Sequence, residues 1–407
     1  MAKRVLIYGM NYSPEVAGAG RYTGEIAEYI ASLGSEVVVV TTPPHYPGWR
    51  VQTSFSNHRF TSEVRNKVRV IRCPLLLHRR MGGFWRLLAP LSFAITSAPV
   101  LLWQLLRFRP DVALSVVPTM SGAPFVLAGA RLVGAKTILH MHDLEADAAF
   151  AVGHLSNWTW LKFLARVFEE LIVRSFDKVI TISDRMADKI VEKGARREDT
   201  VVIRNWVDLD LVKPLVDESP YREEMGYRSG QVVVLYSGNI GRKQGLDILC
   251  EAAKRLVTRT NIQFVIAGEG PAKARLVEKF QSLSNIRFLP FQPYERLSEF
   301  LGMADVHVLP QEANVADLVL PSKLGGMLAS GKPIIVMTET NTELARFLRD
   351  SVIQVRPGDP QALSNAILAF SNSSAPDVEK ARYRNVLAAQ LSKREGLVKF
   401  VHATIEG

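Results

Sequence analysis

The sequence predicts an α/β protein built from two Rossmann-like, doubly wound domains in tandem, facing each other across a cleft. Three observations lead there. Short apolar runs such as "RVLIYG", "EVVVVTT" and "DVALSVV" alternate with helical segments. Continuous rather than alternating apolar runs are the mark of parallel strands covered on both faces. The pattern then loosens over 205–232 and restarts, with "QVVVLYSGNIGRKQGLDIL" repeating the strand, glycine loop and helix of "KRVLIYGMNYSPEVAGAG". A chain of 407 residues is also too long for one ordinary core.

In the first half, "RVLIYG" is a strand and Thr23 to Leu33 an amphipathic helix stopped at Gly34. "EVVVVTT", "VRVIRCP", "DVALSVV", "KTILHMH" and "KVITIS" follow as strands. Pro214, Pro220 and mixed charges read as a linker, with a short helix near 221–226. The second half supplies "QVVVLYS", "IQFVIAGEG", "IRFLPF", "DVHVLP", "KPIIVMT" and "SVIQVRPGD". The domains are therefore 1–212 and 213–407, with the last helix packing back on the first domain. In open α/β sheets ligands sit beyond the carboxyl ends of strands, so motifs just after strands carry the chemistry.

A hydrophobic content of 47% and a charged content of 22% describe a folded protein, not a disordered one. The net charge of +10 calls for an anionic partner. Nucleic acid is disfavoured, because no basic stripe is interleaved with aromatics. Cys73 and Cys250 are far apart, fit no zinc pattern and read as buried thiols. "MAKRVLIYGMNYSP" reads as a buried first strand, its apolar run being too short for a signal peptide. The segment 78–110 is long and apolar, with arginines on both sides. Pro90, Pro99, Ser92, Thr96, Ser97 and Gln104 argue against a span. Two helices lying in a membrane surface, or a mostly buried helical pair, fit better.

"PSKLGGMLASGKP", 321–333, places Lys323 in the first turn of a helix, where the dipole disfavours a cation. An anion shared by Lys323 and the helix start, opened by Pro321, Ser322 and Leu324, resolves this. "SGNIGRKQG", 237–245, follows a strand and opens a helix. Gly238, Gly241 and Gly245 let backbone approach a ligand, Asn239 in the same loop is a further donor-binding candidate, and Arg242 and Lys243 bring charge suited to a diphosphate. A solvated basic turn is the alternative. Glu269 stands between glycines in "AGEGP". Phe291 and Gln292, at another strand end, suit a nucleobase, and core packing of Phe291 is equally open. Gly18 and Gly20 in "VAGAGRY" bring amides near a phosphate but lie too far past the strand for a dinucleotide fingerprint. "ILHMHDLEAD" puts His140 and His142 on one strand face. Zinc would need a third ligand that the sequence does not offer, so the pair reads as contacting a substrate hydroxyl or as structural histidine.

"NYSPEVAGAGRYT", "HMHDLEADAAF", "VIRNWVD", "YSGNIGRKQGLDIL", "GEGP" and "ADLVLPSKLGGMLASGKPII" occur in that order. Together they resemble glycosyltransferase family 4, of the GT-B fold, over essentially the whole chain, most nearly the colanic-acid-type transferases. The resemblance implies a retaining, metal-independent transfer without cofactor, with the nucleotide-diphosphate sugar on the second domain and the acceptor on the first. It implies that Arg242, Lys243 and Lys323 hold the diphosphate, that His142 contacts the donor sugar, and that the Gly18–Gly20 loop closes over the reacting centre. The family's two glutamates fall on Leu318 and Gly326, and its usual Arg and Lys on Asn239 and Gln244. Asp317 is the candidate to replace the first glutamate. A lipid-diphosphate-linked saccharide acceptor, in exopolysaccharide synthesis at the inner face of the cytoplasmic membrane, fits the basic charge and 78–110. A sugar-nucleotide epimerase of the same architecture and a non-catalytic nucleotide-sugar-binding protein are the competing readings.

Overall fold

A computed structural model describes residues 2–15, 18–46, 48–78, 83–144, 159–241, 244–312, 320–373 and 377–406. The chain divides into two compact units, Met1–Arg204 with Leu397–Gly407, and Asn205–Gly396.

Unit 1 is built on β1 (Arg4–Tyr8), β2 (Glu36–Thr41), β3 (Thr61–Arg65), β4 (Val68–Arg72), β5 (Val112–Val117), β6 (Lys136–Met141), β7 (Lys178–Thr181) and β8 (Thr200–Val202). The sheet order is β3-β4-β2-β1-β5-β6-β7-β8. All pairs are parallel except β3–β4. The helices are α1 (Ala19–Ser32), α2 (Gly83–Phe108), α3 (Ala123–Val133), α4 (Thr159–Ser175) and α5 (Asp184–Glu192). The central strands are buried along their length, as their apolar runs require. β3 is the exception: it is an exposed antiparallel edge with no apolar run to announce it.

Helix α2 corrects the expected helical pair, being one helix that runs through Pro90 and Pro99. Its hydroxyls bond backbone inside the helix: Ser97 Oγ donates to Phe93 O at 2.6 Å and Ser92 Oγ to Ala89 O at 2.7 Å. Leu88–Phe108 is long and apolar enough to cross a bilayer by length alone. Yet Phe93, Ser97, Leu101, Gln104 and Leu105 are buried in unit 1, and Ser97 Oγ lies 2.9 Å from the Tyr8 hydroxyl. One face of α2 is therefore docked on the sheet.

Unit 2 begins with α6 (Pro220–Glu224) and alternates β9 (Val232–Ser237), α7 (Leu246–Arg255), β10 (Ile262–Ala267), α8 (Lys273–Phe280), β11 (Ile286–Leu289), α9 (Leu297–Gly302) and β12 (Val306–Leu309). It continues through α10 (Leu324–Ala329), β13 (Ile334–Met337), α11 (Glu343–Leu348), β14 (Ile353–Val355), α12 (Pro360–Ser371) and α13 (Val378–Gln390), and α14 (Lys393–Val401) follows. Its six parallel strands run β11-β10-β9-β12-β13-β14.

The expected boundary at 212/213 falls inside unit 2. Val207 and Val212 belong to its core, and Val207 exchanges backbone bonds with Leu391 and Lys393 at 2.8 Å. The supposed linker is thus ordered by apolar anchors among its charges. Residues from Leu397 on belong to unit 1, where Lys178 Nζ donates to Ala403 O at 2.9 Å and Phe400 is buried. Cys73 and Cys250 are free and buried, and burial pushes each thiol up to about 12.

Candidate active-site residues

In unit 2 the chain leaves β9 towards β10 on one side and returns to β12 on the other. That reversal opens a crevice beyond the carboxyl ends of β9 and β12. The loops around it meet backbone to backbone. Gly238 N donates to Ala267 O at 2.9 Å, Gly268 N to Leu289 O at 3.0 Å and Ile240 N to Glu269 O at 2.8 Å. A Cβ on Gly268, whose φ is +143°, would stand 1.8 Å from Gly238 O. One on Gly245 would stand 2.8 Å from the Gln311 carbonyl carbon, so the chain after β9 touches the chain after β12.

Lys323 enters beside this junction. A Cβ on Gly238 would lie 3.0 Å from Lys323 Cε. The ammonium donates to the Tyr236 hydroxyl at 2.5 Å and lies 4.2 Å from the centre of that ring. The hydroxyl in turn donates to Asn239 O at 2.6 Å. Burial lowers the Lys323 ammonium to about 7 and raises the Tyr236 phenol, so the phenol keeps its proton.

The helix start is corrected. α10 begins at Leu324, with Pro321 and Ser322 in the preceding turn and Lys323 as its flanking residue. Leu324 N already donates to Pro321 O at 2.9 Å, and its side chain is buried in the core. The amide of Leu324 is therefore spent, and charge at this point comes from Lys323. Glu269 is exposed and paired with Lys273 at 2.7 Å, whose ammonium also bonds Gly268 O and Leu289 O. Phe291 is 41% exposed, which rules out the core-packing alternative. Gln292 Oε1 accepts from the Tyr221 hydroxyl at 3.1 Å. Gly241 is buried against Gln244, and Asn239 is exposed. Arg242, Lys243 and Asp317 lie outside the described residues.

In unit 1 the reversal falls between β1 and β5, and the Gly18–Gly20 loop follows β1. Gly18 has φ +66°, and a Cβ there would meet the Tyr46 ring at 3.1 Å. Glu15, buried, organises the loop. It accepts from Asn11 Nδ2 at 2.9 Å, His45 N at 3.0 Å and Tyr46 N at 2.9 Å, and leaves no room for a Cβ on Gly20. His142, just past β6, stacks on Tyr22 with 5.9 Å between ring centres and lies 4.1 Å from the His140 ring. The strand-end histidine and the first turn of α1 are thus neighbours. Burial lowers His142 to about 4, and burial and the neighbouring His142 lower His140 well below its ordinary value, so both are neutral near pH 7. His142 Nε2 is buried without a protein partner, and His140 packs on Phe400. Among the described residues no three His, Cys, Asp or Glu side chains form a metal-binding group.

Sequence reasoning passed over Tyr236, Tyr22 and Glu15. Tyr236 is hidden in an apolar strand run, and Glu15 in a loop where an acid normally faces water.

Residues 17–206 match the model of a glycosyl transferase 4-like domain, and residues 231–373 that of glycosyl transferases group 1. The chain belongs to glycosyltransferase family 4. This family-4 chain is 40% identical over 350 residues, 84% of its length and 85% of the relative's, to the putative colanic acid biosynthesis glycosyl transferase WcaI of Escherichia coli K12. The fold is GT-B. A sucrose-phosphate synthase from Thermosynechococcus elongatus shares it at TM-score 0.72 and 16% identity, covering 98% of this chain and 97% of that one. WaaG, a glycosyltransferase involved in lipopolysaccharide biosynthesis, does so at TM-score 0.69 and 16% identity, covering 99% and 100%. HepE of Anabaena, in complex with UDP and glucose, matches at TM-score 0.67 and 17% identity over 98% of both chains.

Proposed function

We propose that this glycosyltransferase moves a sugar, with retention and without metal or cofactor, from a nucleotide-diphosphate sugar to a lipid-diphosphate-linked saccharide. The setting is bacterial exopolysaccharide synthesis on the inner face of the cytoplasmic membrane. The observation that carries the reading is Lys323: a half-buried ammonium on Tyr236, beside the glycine junction at the switch point of the second sheet. A diphosphate is the ligand that such a cation, set beside a glycine junction at a switch point, suits. The WcaI relative supports the exopolysaccharide setting, and the HepE complex with UDP and glucose supports a nucleotide-sugar donor.

In this reading Lys323, with Arg242 and Lys243, neutralises the charge that grows on the leaving diphosphate. Preorganised donors aimed at developing charge are a large catalytic term. Neutral His142 bonds a sugar hydroxyl through its unpartnered Nε2, and Asp317 supplies the carboxylate absent at Leu318. Phe291 flanks the base.

The test is thermal shift with UDP, GDP, ADP and CMP, in magnesium and in EDTA, on wild type and on Arg242→Ala/Lys243→Ala. One nucleotide that stabilises the wild type in EDTA, with the shift lost in the variant, supports the donor site. Transfer to a lipid-linked acceptor with the anomeric configuration kept completes the case. A folded protein shifted by no nucleotide overturns it.

A further inference from the structure

α2, α3 and α4 lie in one layer, with α3 packed against both neighbours, as right-handed crossovers into β5, β6 and β7 require. The outer side of this layer is apolar. Ile95 is 72% exposed and Trp103 61%, and Leu106 continues the same stripe of α2. On α4, Trp160, Phe163 and Leu171 are exposed. Isolated exposed apolar residues need no explanation, but large side chains on two helices of one layer do.

The charges around them are one-sided. The three helices carry six Lys or Arg and two acids. Of the acids, Glu169 is buried and paired with Lys193, and Glu170 is paired with Arg166 at 2.9 Å. The stripe continues into a concavity. A cavity of about 390 Å³ lies between α2 and the β3–β4 edge, lined by Ile71, Pro99, Val100 and Trp103, with exposed Arg69 beside them.

We propose that the α2–α3–α4 layer of unit 1 is the surface on which the protein seats on an anionic lipid bilayer, with Trp103 at headgroup depth. The proposal rests on the lipid-linked reading above and names the face that would serve it. The apolar stripe buries in the interface while the arginines meet anionic headgroups, the division of labour of an interfacial amphipathic surface. A second copy of the chain fits poorly, because a two-fold contact would press this basic layer against itself. One face of α2, 39% of its apolar stretch, is already buried in unit 1, so the helix lies on the surface rather than crossing it.

The experiment is co-sedimentation of the full chain with vesicles of phosphatidylcholine alone and of phosphatidylcholine with phosphatidylglycerol, at low and high salt. Wild type is compared with Ile95→Glu/Trp103→Glu and with Val216→Glu, a change at an exposed apolar residue of unit 2. Wild type and Val216→Glu should bind the anionic vesicles, weaken in salt, and prefer them over neutral ones about tenfold or more. The double variant should lose at least about tenfold in binding, with an unchanged melting temperature and nucleotide-induced shift. Equal binding by the double variant, or no vesicle binding by a wild type that nucleotide stabilises, overturns the surface while leaving the enzyme reading intact. Vesicle binding without any nucleotide shift overturns the enzyme reading alone. A wild-type dimer that dissociates in the double variant and ignores vesicles assigns the face to a second copy.

Discussion

The Lys323 ammonium and the Tyr236 hydroxyl are 2.5 Å apart, and the same hydroxyl fixes Asn239 O at 2.6 Å. One phenol thus couples the charge brought by the chain after β12 to the backbone of the loop after β9. Burial holds the lysine at about 7. Two consequences of opposite sign follow. If a diphosphate takes the ammonium, as proposed above, affinity for a nucleoside diphosphate should fall as pH rises above about 7, approaching tenfold per unit. Stability should move the other way. The unfolded lysine keeps its proton up to its ordinary range, the folded one gives it up near 7, and the folded state gains as pH rises between those values. Lys323→Met should therefore bind nucleoside diphosphate about ten- to a hundredfold more weakly near neutral pH and lose the pH dependence. Its melting temperature without ligand should equal or exceed wild type at pH 6, with the difference shrinking towards pH 9. Calorimetric binding and melting across pH check both, and a wild-type binding profile that stays flat from pH 6 to 9 would remove the lysine from the site.

Gly268 carries a packing constraint that Gly134 does not. Both have positive φ, but a Cβ on Gly268 would collide with Gly238 O at 1.8 Å, whereas one on Gly134 meets nothing within 4 Å. Gly134→Ala should cost about 1 kcal/mol, the left-handed backbone penalty alone. Gly268→Ala should cost about 3 kcal/mol or more and abolish nucleotide-induced stabilisation, because the β9 and β10 ends must part. Denaturant melts of both variants make the comparison. Equal costs would mean that the junction yields more easily than its geometry indicates.

The alternation of apolar runs made both sheets legible, because parallel strands buried on both faces leave an unbroken signature. What escaped had no such signature. β3 is exposed, and its residues Ser62 and Glu63 carry no pattern. Pro90 and Pro99 signalled a break in what is one helix, held instead by the face it buries in unit 1. Lys323 was recognisable from its misplaced charge, but its partner Tyr236 was not, since only the fold brings residues 87 positions apart together. His140 and His142 were visible by strand alternation, whereas the Tyr22 ring on His142 is a tertiary fact.

His142 and His307 are held to about 4 and about 3 by burial, and His140 is lowered as well. Each folded value lies below the unfolded one. Their contribution to stability is complete above the unfolded range near 6.5 and is lost as pH falls towards 4 and below. Within that window each should cost about 1.4 kcal/mol per pH unit. His307 Nε2 lies 3.0 Å from Ser330 Oγ in unit 2, so His307→Gln separates that unit's share from the His140–His142 pair. Melts from pH 7 to 4 should show a shallower acid loss in His307→Gln than in wild type. Identical slopes would mean that His307 already titrates normally when folded.

Glu15 gives the last prediction. Its Oε1 accepts two backbone amides, from His45 and Tyr46, and its Oε2 accepts the Asn11 amide. A buried donor left without an acceptor costs about 1–3 kcal/mol, and Glu15→Ala orphans three. The loop holding Gly18 and Gly20 would lose its tie to residues 45 and 46. Glu15→Gln is a sharper probe. Its carbonyl oxygen can still take both backbone amides, while its NH₂ faces Asn11, whose side chain can turn to present oxygen. The glutamine variant should stay within about 1 kcal/mol of wild type, and the alanine variant should lose roughly 3 kcal/mol or more. Because Glu15 lies in unit 1 and Lys323 in unit 2, nucleotide-induced stabilisation should survive in both variants. Sugar transfer should fall sharply in Glu15→Ala only. Equal transfer by the alanine and glutamine variants would show that the loop's order does not depend on this carboxylate.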